Sequence, residues 1–374
     1  MSPFDAADQA FMARALRLAA NGLATSQPNP RVGCVFVRDG RIVAEGWHER
    51  AGGPHAEAMA LAGAIESVAG ATAYVTLEPC NHHGRTPPCS EALIKAGVVR
   101  VVYAVGDPNP LVNGSGARRL REAGVQVQSG LMEAEAIALN AGFIKRMRQG
   151  LPWVRLKLAM SLDGRTALSD GRSKWITGEA ARLDVQYWRA RSSAVLTGVG
   201  TVLADDPSLS VRPSGPDVRQ PLRVILDSTL KTPPTARVFD GTVGQGVWIF
   251  TACTDQSRIA ALEARGARVV QASAMAQDGG VAQVDLAQVL AELGKSGINE
   301  VLVEAGATLA GALVQQQCVD ELLLYVAPVV LGEGARGLFR LPQPQSLSQA
   351  RRFALLESVS VGTDLRIRLT CLPG

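Results

Sequence analysis

Histidine is scarce in this chain of 374 residues: there are four, and all of them, His48, His55, His82 and His83, fall between positions 48 and 83. Aromatic residues make up 5% of the sequence, too few to supply the stacking platforms of a surface that holds single-stranded nucleic acid. No block of one charge is present. The first 150 residues carry 15 basic and 13 acidic side chains and the remainder 23 and 21, so the net charge of +4 is spread evenly and gives a nucleic-acid partner no electrostatic footprint. Long apolar runs are missing as well. The strongest, LLLYVAPVVLG, falls far short of the roughly 18 residues that a membrane span needs. The six cysteines are scattered and do not form a disulfide framework in a chain of this size, which points to a soluble, reducing, cytoplasmic setting. The N-terminal stretch MSPFDAADQAFMARALRLAANGLA places Asp5 and Asp8 ahead of its apolar positions, so it reads as an amphipathic helix and not as a signal peptide.

The length suits two domains of about 100–200 residues each. The segment IKRMRQGLPW, from Ile144 to Trp153, is the clearest punctuation, and it sets expected domains of 1–149 and 150–374. Ahead of it, Arg31 to Ala44 reads as a hairpin turning at Asp39-Gly40. A helix over 55–65, the strand TAYVTL, a helix from Cys89 to Ala96, the strand VRVVYAV, a helix near 116–123 and the short strand VQVQS follow. The second part alternates in the same way through WVRLKLAM, SAVLTGV, LRVILD, GVWIFT, ARVVQA, EVLVEAG and ELLLYVAPVVL, and closes on an antiparallel pair in FALLESVSVGTDLRIRLTCL. Both parts are therefore α/β.

The histidine cluster lies beside two of the cysteines, in GGPHAEAMAL and LEPCNHHGRTPPCSEAL. His55 follows Gly-Gly-Pro at the start of a helix, Cys80 lies just past a strand end, and Cys89 begins a helix, where the dipole favours thiolate. One nitrogen and two thiolates leave a fourth tetrahedral position open, the mark of a catalytic zinc site. Zinc deaminases carry H-x-E followed by P-C-x-x-C, with the glutamate moving protons and not binding metal. Here the match is His55-Ala-Glu57 and Pro79-Cys80, with eight residues between Cys80 and Cys89. The tripeptide alone is uninformative. Together with Pro-Cys after a strand and Cys at a helix start it predicts one zinc ion per chain, with Glu57 as general acid and base.

PNPRVGCVFVRDG, GWHERAGGPHAEAMAL, VTLEPCNHHGRTPPC and VGDPNPLVNGSG resemble the deaminase half of the bifunctional riboflavin-biosynthesis deaminase/reductase family, whose expanded segment between the cysteines separates it from cytidine and tRNA adenosine deaminases. The resemblance implies a cytidine-deaminase-like three-layer α/β/α domain. It also implies that Asn29, His82, Arg85, Asp107 and Asn109 contact the substrate, with His48 beside them; as a lone histidine before a charged turn, His48 fits a surface role equally well, and His83 is left facing solvent. Its substrate would be a diaminopyrimidinone bearing a ribosylamino 5-phosphate.

The downstream part has no histidine and no metal-like cysteine pair. In VLVEAGATLAG, Gly306 and Gly311 read as lying after a strand and before a helix, where backbone amides cradle phosphates; a packing turn explains the same pattern. LKLAMSLDGRTA, SKWITG, GVGTVLADDPSLSVR and VLVEAGATLAG together resemble the reductase half of the same family, which is related in fold to dihydrofolate reductase. By that resemblance Ala159, Trp175, Thr201, Asp205, Ser228 and the run Gly306, Ala307, Thr308, Leu309, Ala310, Gly311 and Ala312 would line an NADPH site. Lys157, Ser173, Arg189, Leu209, Arg212 and Glu304 would hold the substrate, with Arg189 and Arg212 suited to clamp a phosphate through paired guanidinium donors. Asp205, next to Asp206-Pro207, fits a turn equally well.

The expected enzyme thus deaminates a phosphoribosylaminopyrimidine and then reduces its ribosyl group to ribityl. It would act on small molecules without nucleic acid or membrane, as a homo-oligomer (dimer or tetramer). Two rivals remain: a nucleic-acid or nucleoside deaminase with an accessory nucleotide-binding domain, and a non-catalytic protein with structural zinc.

Overall fold

A computed structural model of the chain describes residues 3–81, 88–109, 113–212, 219–241, 246–275 and 283–372. The chain divides into two compact units, Met1–Gly150 and Leu151–Gly374. Among the described residues no helix is long and apolar enough to cross a membrane.

The first unit runs α1 (Ala6–Ala20), β1 (Gly33–Arg38), β2 (Arg41–Trp47), α2 (Ala56–Ala62), β3 (Thr72–Leu77), α3 (Cys89–Lys95), β4 (Arg100–Val105), α4 (Ser115–Glu122), β5 (Gln126–Ser129), α5 (Glu133–Leu139) and α6 (Ala141–Gln149). Its sheet has the order β2-β1-β3-β4-β5, antiparallel across β2-β1-β3 and parallel from β3 to β5. The β1–β2 hairpin turns at Asp39 and Gly40, both with positive φ, as a two-residue turn matched to strand twist requires. Alternation along β1 sends Val35 and Val37 to one face, with Met12, Ala15 and Leu18 of α1 and Ala136 of α5. Cys34 and Phe36 point to the other face, with Ala56 and Ala60 of α2, Leu93 of α3 and Leu120 of α4. The result is three layers.

Helix α1 starts at a capping box in which Asp5 and Asp8 bond each other's backbone amides. Asp8 also reaches the sheet: its carboxylate accepts from Tyr74 Oη at 2.6 Å and from Arg100 Nη1 at 2.7 Å. The helix expected over 55–65 is shorter, because Gly63 caps it after Ala62, and His55 is its N-cap and not its first turn.

The second unit runs β6 (Trp153–Ser161), β7 (Arg165–Ala167), α7 (Glu179–Arg191), β8 (Ala194–Gly198), α8 (Val199–Asp205), β9 (Leu222–Leu226), β10 (Val247–Thr251), α9 (Gln256–Glu263), β11 (Ala267–Gln271), β12 (Ala274–Met275), β13 (Gln283–Val284), α10 (Leu286–Lys295), β14 (Glu300–Glu304), α11 (Ala307–Gln315), β15 (Glu321–Ala327), β16 (Arg336–Gly337), β17 (Phe353–Val361) and β18 (Asp364–Cys371). Among the described residues nine strands form one sheet in the order β11-β10-β9-β8-β14-β6-β15-β18-β17. The first seven are parallel, and the β17–β18 hairpin is antiparallel at the edge. Helices α10 and α11 pack on one face; α7, α8 and α9 pack on the other. The strand expected over 321–331 ends at Ala327, since Pro328 has no amide to continue the ladder.

Strand β6 is central, yet only one of its faces is apolar. Val154, Leu156 and Leu158 join the α10/α11 core, while Arg155 and Lys157 alternate onto the opposite face. Arg155 is buried between Glu300 at 3.2 Å and Glu321 at 2.9 Å, and its guanidinium lies 4.7 Å from the ring centre of the buried Trp188.

Candidate active sites

In the first unit, three donor atoms cluster beside a cavity of about 270 Å³, with His55 and Cys80 in its wall and Cys89 behind them. His55 ends the Gly-Gly-Pro turn before α2, Cys80 follows β3, and Cys89 opens α3. His55 Nδ1 lies 3.5 Å from Cys80 Sγ and 3.3 Å from Cys89 Sγ, and the three ligand atoms are all within 4.8 Å of one another. A tetrahedron with Zn–S of about 2.3 Å and Zn–N of about 2.0–2.1 Å sets nitrogen and sulfur about 3.5 Å apart, so the donor set fits zinc in size and in type.

Charge gives the same answer. The Cys80 thiol is pulled down to about 4, chiefly by its hydrogen bond with Cys89 and also by His55, against the opposing effect of burial. Cys89 is pushed up by Cys80, by burial and by Glu57. Without a cation the pair therefore carries one thiolate, and only a cation between the two sulfurs would let both ionise. Glu57 stands in the first turn of α2, 3% exposed and facing the cavity. Burial, and then Cys80, raises its carboxyl above the ordinary range.

Asn29, His48, Asp107 and Asn109 line the same cavity. His48 is no surface residue: it is 3% exposed. Its Nδ1 lies 2.8 Å from the Pro54 carbonyl, which only accepts, so this nitrogen carries the proton. The Nε2 of the neutral ring then accepts from Asn29 Nδ2 at 3.1 Å, which fixes the orientation of that amide. Burial lowers the His48 pKa, in keeping with a neutral ring. Asp107 Oδ1 accepts from the Asn109 amide at 2.8 Å. His82, Arg85 and His83 lie outside the described residues.

Sequence reasoning missed Phe143, Arg146 and Met147, which reach the cavity from α6. They stand at i, i+3 and i+4, a one-face spacing visible in the sequence, but Arg146 and Met147 fall in a segment read as domain punctuation and Phe143 directly precedes it. Glu78, also at the cavity wall, was missed as well.

In the second unit, β8 and β14 are neighbours whose outgoing helices leave to opposite faces: α8 toward β9 and α11 toward β15. Such a reversal opens a crevice at the carboxyl ends of the strands, the usual ligand position in open α/β sheets. Two helix starts meet it, with Gly198 and Gly306 as N-caps. A Cβ added at Gly306 would meet nothing within 4 Å, so backbone there is open to a phosphate and the place fits a dinucleotide. Thr201 stands in the first turn of α8, Ala159 near the carboxyl end of β6, and Ser228 just after β9, its Oγ accepting from the Val284 amide.

Lys157 and Glu304 are register partners on β6 and β14. Glu304 binds Arg189 of α7 twice, Nε–Oε1 at 2.5 Å and Nη2–Oε2 at 3.0 Å. Burial works against ionisation of Glu304, but Arg189, and after it Lys157, holds its pKa below the usual value. Burial lowers that of Lys157, with Glu304 opposing.

Several expectations change here. The paired donors of Arg189 face Glu304 and its Nη1 donates to the Ser210 carbonyl, so its fork is not open to a phosphate. Leu209 is 1% exposed in the core, which leaves only its backbone for a ligand. Gly311 does not precede the helix but lies within α11, where a Cβ would come 2.2 Å from the Arg340 carbonyl; its smallness serves packing. Ala310 is likewise buried, and only the start of the run 306–312 is open. Ser173, Trp175 and Arg212 lie on connecting segments: Trp175 is 70% exposed beneath the Arg182 guanidinium, and the Arg212 amide donates to Gln186. Asp205 closes α8 and pairs with Lys174 at 3.5 Å, while the turn beside it is made by Asp206.

Fold and sites together define a two-part enzyme, a metal-dependent hydrolase unit followed by a nucleotide-dependent oxidoreductase unit. Residues 5–105 match the cytidine and deoxycytidylate deaminase zinc-binding region, and residues 152–367 match the RibD C-terminal domain. The riboflavin biosynthesis protein RibD of Escherichia coli is 49% identical, covering 97% of this chain and 99% of its own. The structure of Acinetobacter baumannii RibD superposes with a TM-score of 0.89 at 46% identity, covering 98% of this chain and 99% of its own. A Thermotoga maritima diaminohydroxyphosphoribosylaminopyrimidine deaminase/5-amino-6-(5-phosphoribosylamino)uracil reductase gives a TM-score of 0.85 at 34% identity, over 98% and 99%. The chain belongs to the RibD family, the bifunctional deaminase/reductases of riboflavin biosynthesis. The nucleic-acid deaminase alternative is not favoured, because these relatives match both units over nearly their whole length.

Proposed function

We propose that the first unit (1–149) deaminates the diaminohydroxyphosphoribosylaminopyrimidine and that the second (150–374) reduces 5-amino-6-(5-phosphoribosylamino)uracil, the two activities that the Thermotoga relative is named for, with NADPH as reductant and the ribityl compound as product. The observation that carries the deaminase assignment is the cluster of His55, Cys80 and Cys89 beside a cavity that His55, Cys80 and the buried Glu57 line. We assign these three as the ligands of one zinc per chain. Zinc, when bound there, supplies the Lewis acidity that makes water reactive near neutral pH.

Glu57 takes a proton from the attacking water on its carboxylate and returns it to the departing amine, so that water and amine become carbonyl and ammonia. The Asn29 amide, held by His48, together with Asp107 and Asn109 orients the pyrimidine. In the second unit NADPH supplies hydride. The open start of α11, with the start of α8 beside it, would hold its phosphates, and Thr201, Ser228 and Ala159 would line the crevice. Lys157 and Glu304, the latter held in place by Arg189, would orient the ribose against it.

Further support comes from the even charge balance, which disfavours nucleic acid, and from free thiols, which suit a cytoplasmic setting. Exposed Leu355 and Leu356 on the edge strand β17 support a homo-oligomer. The test is incubation with the diaminopyrimidine phosphate, with and without NADPH, followed by ammonia and mass analysis. Without NADPH the product should stop at the uracil, and with it the ribityl compound should appear. Absence of ammonia release would end the reading.

A further inference from the structure

Glu78 is buried at 4% exposure between the end of β3 and the Pro79-Cys80 pair. Its carboxylate does not pair with a cation among its described contacts; it gathers backbone amides from elsewhere in the chain. Oε2 accepts from Gly114 N at 3.0 Å and from Asp107 N at 3.4 Å, and Oε1 accepts from Ala117 N at 3.2 Å. The first and last of these belong to the start of α4. That helix has Gly114 as its N-cap, in a left-handed conformation and with no side chain to satisfy the amides of the first turn. Glu78 supplies the missing cap from a different element, with its charge at the favourable end of the helix dipole. Close contact reinforces the link. A Cβ at Gly116 would fall 1.7 Å from the Pro79 carbonyl, so α4 presses on the backbone that leads into Cys80.

The Asp107 amide is held by Glu78, and Asp107 in turn holds the Asn109 amide through its carboxylate. Both of these cavity-lining side chains therefore hang from one point that is also fixed to the metal-ligand segment. We propose that Glu78 is a positioning residue of the deaminase: it keeps Asp107 and Asn109 in register with the zinc ligands, and so sets how tightly the pyrimidine substrate is held. The proposal rests on the deaminase reading above.

The full-length Glu78→Gln variant tests it. Glutamine must turn an NH₂ toward an N–H, so at least one of the three bonds is lost. Zinc content and reduction of supplied deaminated intermediate should be unchanged. The KM for ammonia release should rise about tenfold, the scale of one charge-assisted hydrogen bond, while kcat stays within about threefold. In an Asp107→Ala background the same change should add less than about twofold to KM, because Glu78 acts through that residue. Amide exchange at Asp107, Gly114 and Ala117 should quicken, a readout that needs no substrate and so stands even if the deaminase reading fails. Unchanged exchange, an unchanged KM, loss of zinc, or a full additional effect in the Asp107→Ala background would overturn the proposal. Should Glu78→Gln not fold, Glu78→Asp carries the same tests: it keeps the charge, and its KM and exchange should fall between those of wild type and the values expected for Glu78→Gln.

Discussion

His55, Cys80 and Cys89 bring three donor atoms within 4.8 Å from three separate places in the first unit. At its crevice the second unit offers the buried ion pair Arg189–Glu304, a lysine beside it, and two helix starts, that of α11 open. The contrast reflects what each chemistry requires. A metal that activates water accepts few side-chain types, and each must be present as a side chain. A dinucleotide held by backbone amides requires helix starts at a topological switch and open space, which many sequences supply.

The comparison is broken most sharply at the metal. Cys89→Ser, or chelation of the wild-type chain, should remove zinc and lower ammonia release by more than about a thousandfold, since the water loses its activation. Reduction of pre-deaminated substrate should continue in the same sample. Metal analysis with both activity assays checks this; full deamination by the zinc-free chain would remove the assignment. The converse is Glu304→Gln, which leaves Arg189 and Lys157 without their shared counter-charge. Reductase kcat/KM should fall about a hundredfold, the scale of losing one partner of a buried charged pair, with ammonia release intact.

Two further changes sharpen the comparison through stability. Arg155→Met removes the cation that Glu300 and Glu321 share, leaving them Arg191 and Arg368 respectively, and should cost about 1–3 kcal/mol in the second unit, read as an earlier denaturant transition. In the first unit Asp8 is held below its ordinary pKa, chiefly by its hydrogen bonds from Arg100. Asp8→Asn should cost about 1–3 kcal/mol. Because the folded-state pKa is depressed, the wild-type advantage is complete above the unfolded-state value of about 3.9 and fades as pH falls through the lower folded value. Melts of both chains from pH 7 down to the acid limit of folding should converge.

What could be read from the sequence follows the same division. Strands such as TAYVTL were legible because their β-branched runs end at turn residues, and His55, Glu57, Cys80 and Cys89 were legible because few other side chains do their work. The residues Arg189 and Glu304 lie 115 positions apart, and no local pattern announces that they face each other. Leu209 and Gly311 carry resemblance to a motif, yet burial gives them packing roles. Polar Arg155 and Lys157 on an otherwise apolar central strand were a usable sign of buried charge, since parallel strands covered on both faces are normally apolar throughout. Arg146 and Met147 were hidden inside a segment whose glycine and proline read as a boundary, with Phe143 at its edge.

The central claim is that the chain holds two reactions in two separate sets of side chains. Glu57→Gln, confirmed as folded and zinc-loaded, tests it most directly: glutamine fills the same space but cannot move a proton. Given the diaminopyrimidine phosphate, this chain should release no ammonia. Given the deaminated intermediate and NADPH, it should form the ribityl product at the wild-type rate. Failure to reduce the supplied intermediate would contradict the account.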